Sequence, residues 1–155
     1  MALANQHQAL LLGTSNKSEL AVGYTTLYGD MNGAYSVLKD VYKTQVYALA
    51  LYRNAITPAI PLRVLTRAPT AELKENQTDQ DSLPPYDQLD AILQGLIEHR
   101  WDAAPLIERG FSPDIVHWVI KQLWQSEYKR RQAPPGPKIS SCSFGRDWRM
   151  PLMKG

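Results

Sequence analysis

The chain has 155 residues, long enough to bury one hydrophobic core and too short to suggest two domains. Its 17 Lys and Arg against 15 Asp and Glu leave a net charge of +2, which calls for neither a nucleic acid nor a membrane as partner. Cys142 is the one cysteine, so an internal disulfide or a cysteine zinc site is excluded and a reducing cytoplasm is expected.

Residues 1–7 read as the end of a helix and not as a signal peptide, because no basic segment precedes a long apolar stretch. No apolar run nears the roughly 20 residues of a membrane span. The run at 9–12 reads as a buried strand. Gly13 and Thr14 end it, and Ser15 or Asn16 caps a helix over 17–27 with Glu19 in its first turn, where negative charge suits the dipole. In open α/β sheets ligands sit beyond the carboxyl ends of strands, where helix N-termini offer N–H groups to anions. Thr14 and Glu19 are expected to flank such a crevice.

Two glycines and an Asn at 28–33 mark a loop, followed by a second short strand at 35–38. Asp40 is expected to cap a helix over 41–54 that is apolar on more than one face and therefore buried. Pro58, Pro61 and Pro69 punctuate the middle, with a helical turn at 62–67 and a polar surface loop at 72–82. After Pro84 and Pro85, the spacing of Tyr86, Leu89, Ile92, Leu93, Leu96 and Ile97 predicts an amphipathic helix. Ser112, Pro113 and Asp114 start another, carrying Ile115, Trp118, Val119 and Leu123 toward Tyr128. Residues 133–155 read as an extended, irregular tail. His7, His99 and His117 lack ligand-like spacing, and Trp118 and Trp124 read as packing or as a face toward a partner subunit. Basic residues at 129–131 and 146–149 come without an aromatic-interleaved groove, so no nucleic acid is expected.

This inventory is helix-rich, with one or two parallel strands. Parallel strands need neighbours and crossover helices to cover them. The expectation is the C-terminal part of an α/β domain whose N-terminal strands lie outside these residues.

Five separated blocks then agree, in order, with one family. They are Gly13-Thr14-Ser15-Asn16-Lys17-Ser18-Glu19-Leu20-Ala21-Val22-Gly23-Tyr24, Leu27-Tyr28-Gly29-Asp30-Met31, Lys43-Thr44, Arg67-Ala68-Pro69-Thr70-Ala71-Glu72-Leu73, and Tyr128-Lys129-Arg130-Arg131-Gln132-Ala133-Pro134-Pro135-Gly136. Together they resemble the synthetase domain of the NAD synthetase family. The ending, Pro134-Pro135-Gly136-Pro137-Lys138-Ile139-Ser140 and then Phe144-Gly145-Arg146-Asp147-Trp148-Arg149, is more similar to the two-domain glutamine-dependent enzymes than to the ammonia-only ones.

The resemblance implies a partial adenine-nucleotide α-hydrolase-like (Rossmann-like) fold, with residues 1–155 as the C-terminal portion of the synthetase domain. It implies a ligase that uses ATP to adenylate deamido-NAD and then lets glutamine-derived ammonia expel AMP. The family's Ser-Gly-Gly-x-Asp-Ser pyrophosphate loop does not occur in these residues. The N-terminal synthetase half and the glutaminase domain are likewise outside them, so the chain alone is expected to be inactive.

The matched positions imply that Thr14, Lys43 and Thr70 contact ATP, that Glu19 and Lys129 contact deamido-NAD, and that Glu19 also meets Mg²⁺. Each has a plainer reading: Thr14 and Thr70 as capping or turn hydroxyls, Lys43 as a surface lysine, Lys129 as a cation suited to a helix C-terminus. Leu27 and Ala34 stand where ammonia-only members carry a lysine and an acid, and no contact is carried over there. Family members dimerise through helices, which implies a homo-oligomer. Two alternatives are another ATP pyrophosphatase, such as the synthetase domain of GMP synthetase, and a non-catalytic dimerisation or ligand-binding fragment.

Overall fold

A computed structural model describes residues 1–71, 75 and 77–152. Helix α1 (Ala2–Gln6) leads to strand β1 (Leu12–Gly13), helix α2 (Lys17–Val22) and strand β2 (Tyr35–Ser36). The two strands pair in parallel, with Leu12 beside Tyr35 and Gly13 beside Ser36. Helices α3 (Lys43–Ile56), α4 (Leu62–Thr66), α5 (Tyr86–Ile97), α6 (Ala103–Glu108), α7 (Pro113–Gln125) and α8 (Glu127–Gln132) follow, with a 3₁₀ turn at Asp79–Asp81. The described residues therefore form a mostly helical, partial α/β domain, as the strand inventory predicts.

The core lies where α2, α5, α6 and α7 meet. Leu20 and Ala21 of α2 pack with Leu89, Ile92, Leu93 and Ile97 of α5, Leu106 of α6, and Val116, Val119 and Leu123 of α7. The apolar spacing of α5 and α7 gives each helix one inward stripe, and burying each large aliphatic side chain stabilises the fold by about 1.5–3 kcal/mol. Gly95 lets α6 approach α5, because a Cβ there would stand 2.8 Å from Leu106 and from Trp101.

Several sequence expectations need correction. The strand begins at Leu12 rather than at residue 9, and Leu10 and Leu12 are 63% and 52% exposed, because among the described residues nothing covers that face of the small sheet. Helix α2 stops at Val22 and not at 27. Gly23 takes the left-handed conformation at φ 70°, which ends the helix. Asp40 caps nothing, since α3 starts at Lys43 behind Tyr42, and Asp40 is spent on the tail. Helix α3 has no buried residue; Leu49, Leu51, Tyr52 and Ile56 all face solvent. The surface loop at 72–82 ends with Asp79 buried, while Glu72, Leu73, Lys74 and Asn76 lie outside the described residues. Helix α6 went unread in the sequence, and α7 breaks from α8 at Ser126.

The tail carries no helix over 133–152, turns back between Phe144 and Trp148, and belongs to the core. Ser36 donates its N–H to Pro135 at 2.8 Å, and Lys39 donates to the Pro134 carbonyl at 2.6 Å. Only glycine fits at 136, where a Cβ would collide with the Ser36 carbonyl and lie 3.0 Å from Lys39. Cys142, Phe144 and Trp148 are buried against the helices, with an isolated bridge between Phe144 and Trp148. Among the described residues no helix is long and apolar enough to cross a membrane.

Candidate functional site

The helix expected to carry site residues begins with a closed cap. The Asn16 side chain accepts the Glu19 N–H at 3.0 Å, and Glu19 Oε2 accepts the Asn16 N–H at 3.3 Å. Lys17 donates its N–H to Val41. Two N–H groups of the α2 first turn, those of Lys17 and Glu19, are thus already bonded, against the expectation that the helix start would offer them to an anion. What α2 offers instead is the Glu19 side chain.

Glu19 points to Lys43, the first residue of α3, with Oε1 2.9 Å from Nζ. The pair is part-buried at the mouth of a groove of about 1020 Å³ between α2, α3, α4, α8 and the residues before α5. The Lys43 ammonium also lies 5.3 Å from the centre of the Tyr86 ring. Tyr86 donates its hydroxyl to Asp79 Oδ2 at 2.7 Å, and burial first, then that bond, pushes its pKa far up. Tyr24 stands on the same wall; burial and Asp79 raise its hydroxyl above the usual value.

Lys129 closes the groove from α8. Its ammonium donates to the carbonyls of Gly23 at 2.7 Å and Thr25 at 2.6 Å, at the C-cap of α2 and in the loop just beyond it. Its partners among the described residues are carbonyls, which place a cation beside the groove without a carboxylate bonded to it. Its neighbour Arg130 is buried and structural, donating to Ala21 at 2.8 Å and bridging Glu127 at 3.0 Å. Thr70 completes the set in the same lining.

Four of the five residues singled out by sequence therefore line one groove: Glu19, Lys43, Thr70 and Lys129. Thr14 does not. It is exposed just past the carboxyl end of β1, outside the groove. Sequence reasoning missed Tyr24, Asp30, Arg67 and Asp79, which share the lining. Asp79 had no periodic signal because it sits in the polar stretch before α5. Asp90, behind the groove, did carry one, as a lone carboxylate on the otherwise apolar inward stripe of α5.

Among the described residues no cluster of three or more His, Cys, Asp or Glu side chains is arranged to hold a metal alone. Glu19 offers a single carboxylate. That donor set fits Mg²⁺, which keeps its waters and commonly takes one or two carboxylates together with substrate phosphates.

A family model described as NAD synthase matches residues 1–133. The glutamine-dependent NAD(+) synthetase of Aquifex aeolicus is 56% identical over 149 residues, 96% of this chain and 26% of that protein. The one from Acinetobacter baylyi is 55% identical, over 100% of this chain and 29% of that protein. The crystal structure of a glutamine-dependent NAD(+) synthetase from Cytophaga hutchinsonii matches with a TM-score of 0.67 at 23% identity, over 99% of this chain and 26% of that one, which identifies the fold as part of a Rossmann-like domain. The chain thus spans little more than a quarter of the length of these relatives. The match over most of its residues, with the identities above, establishes that the chain belongs to the NAD synthase family.

Proposed function

We propose that this chain is the C-terminal portion of an NAD synthetase domain and that its groove binds the nucleotides of an ATP-dependent amidation. Residues 133–155 serve as a tail, whose described part, 133–152, clamps the domain. The observation carrying this reading is the convergence of Glu19, Lys43, Thr70 and Lys129 on one groove. At about 1020 Å³ it stands at the top of the ordinary range for small-molecule sites and suits a nucleotide.

In the proposed reaction, a nicotinate carboxylate oxygen of deamido-NAD attacks the α-phosphorus of ATP and expels pyrophosphate. Ammonia then attacks the acyl carbon of the adenylate and expels AMP. Lys43 and Thr70 hold ATP, and Lys129 and Glu19 hold deamido-NAD. Lysines at fixed positions stabilise charge that develops on phosphate oxygens. Glu19 would hold the Mg²⁺ that accompanies the phosphates, and that ion would neutralise their charge as pyrophosphate leaves. Thr14 meets ATP separately, at the carboxyl end of β1, where open α/β sheets place their ligands.

The exposed faces support the remaining assignments. Leu10 and Leu12 on the open side of the sheet suit the N-terminal synthetase half, with a glutaminase domain as the ammonia source. Leu49, Tyr52, Ile56 and Leu62 on α3 and α4 suit a second copy, giving a homodimer. A free, buried Cys142 agrees with a cytoplasmic location.

Calorimetric titration with Mg·ATP, deamido-NAD and XMP tests the reading. Binding of the first two without XMP is expected, together with no NAD formed from deamido-NAD, ATP and ammonia. Binding of neither nucleotide would leave only an assembly role, and turnover like that of an intact enzyme would remove the need for a pyrophosphate loop outside these residues.

A further inference from the structure

We propose that Asp90 is the positioning residue of the Glu19–Lys43 pair, acting from α5 through Ser18 and the first turn of α3. Asp90 and Ser18 are 2% and 0% exposed, behind the groove and out of reach of any ligand. Asp90 Oδ2 accepts both the Thr44 N–H at 2.9 Å and the Thr44 hydroxyl at 2.8 Å. Its other oxygen accepts the Ser18 hydroxyl. The Ser18 oxygen in turn accepts the Lys43 N–H at 2.8 Å.

This relay touches the residue next to Glu19 on one side and the backbone of Lys43 on the other. It thereby fixes the two helix starts from which the ion pair projects. A buried carboxylate is costly unless its oxygens are satisfied, and here three donors (the Ser18 hydroxyl and the Thr44 N–H and hydroxyl) and the α3 dipole satisfy it. Burial still raises its pKa above the ordinary value, against the bonds from Ser18 and Thr44. The same bonds occupy the leading N–H groups of α3. Phosphate therefore cannot be taken by the helix start, and the Lys43 side chain is what α3 presents to the groove.

The role in ligand binding rests on the proposal that Lys43 meets ATP phosphate, whereas the ordering of the pair does not. Two measurements on this chain separate them. One is Mg·ATP affinity in wild type, K43A, D90N and K43A/D90N. The other is the NMR order parameter of the Lys43 ammonium without ligand, in wild type, D90N and S18A. S18A breaks the link to Lys43 while leaving the Asp90–Thr44 bonds, so it serves if D90N fails to fold.

The expected result is an affinity loss of about tenfold in D90N, the scale of one charge-assisted hydrogen bond, with the double variant no weaker than K43A. Lys43 should become as mobile in D90N and S18A as an exposed lysine. Losses that add in full, or a Lys43 ammonium equally ordered in all three proteins, would overturn the positioning role. If K43A binds ATP like wild type, the phosphate assignment fails, and the Lys43 order parameter alone decides the inference.

Discussion

Lys17 and Asp40 form an ion pair at 3.1 Å, with the lysine wholly shielded from solvent and the carboxylate almost so. The Lys17 ammonium also donates to Ser140 at 2.7 Å, the Cys142 carbonyl at 3.0 Å and Glu98 at 3.2 Å. One side chain from the first turn of α2 thus joins α5 and the tail. A buried charge whose partner is removed costs about 3–5 kcal/mol. K17M leaves Asp40 with the Ile139 and Ser140 N–H groups but no cation, so a loss of that size is expected in urea unfolding. A variant within about 1 kcal/mol of wild type would show that the pair contributes only at the level of a surface ion pair.

Asp40 also sets an acid limit for the tail. Burial pushes its carboxyl up, but the Ser140 and Ile139 N–H groups and the Lys17 ammonium together hold it below the ordinary 3.8. A carboxyl lowered on folding adds stability that is complete above its unfolded value and is lost as pH falls through the folded one. Asp147, held at about 2 chiefly by Lys138, shifts the same way, though it is solvent-exposed. The tail should therefore stay docked at pH 5 and loosen below about pH 4. The difference in fluorescence between wild type and W148F reads this directly, because Trp148 is buried where the tail packs against the helices. An unchanged difference down to global unfolding would exclude Asp40 as the anchor.

Gly23 links helix ending to the groove. Its φ of 70° suits glycine, and a Cβ there would clash with the Ser126 hydroxyl and stand 2.9 Å from the Ser126 Cβ. G23A should therefore destabilise by about 1–3 kcal/mol. Adding S126G removes the clash and should recover all but the left-handed backbone strain of about 1–2 kcal/mol. Because the Gly23 carbonyl accepts Lys129, G23A should also weaken deamido-NAD binding while the double variant regains it. Thermal melts and calorimetry on the three proteins check both parts, and full recovery of stability in the double variant would mean the backbone is unstrained.

The sequence made the inward stripes of α5 and α7 legible because periodicity reports burial directly. It also placed Glu19, Lys43, Thr70 and Lys129, through blocks of matching residues rather than through any spacing rule. Periodicity failed for α3, whose leucines and Tyr52 look like core but meet solvent in this chain, since apolar content says nothing about what covers a face. It failed for Asp40 and Asp79 as well. Asp40 is held by Ser140, far along the chain, and Asp79 by Tyr86 across the break between the polar stretch and α5, and neither pairing lies within one helix or strand whose period would show it. Thr14 was placed by its strand, but the groove opens beyond α2 and not at the end of β1.

The Glu19–Lys43 pair makes a last prediction by substitution. In the groove the carboxylate and the ammonium neutralise each other at 2.9 Å. On the proposed binding mode, Mg·ATP would replace that one contact with two, phosphate on Lys43 and the cation on Glu19. E19Q releases Lys43 from its partner, so free ATP should bind more tightly than to wild type, by up to about fivefold for a part-buried pair. The same variant has no carboxylate for Mg²⁺, so adding the ion should no longer strengthen ATP binding. K43A should show the reverse, with weak binding of free ATP and a retained response to Mg²⁺. Titrations of ATP with and without Mg²⁺ on the three proteins resolve this, and an E19Q protein that responds to the ion as wild type does would remove Glu19 from the metal's shell.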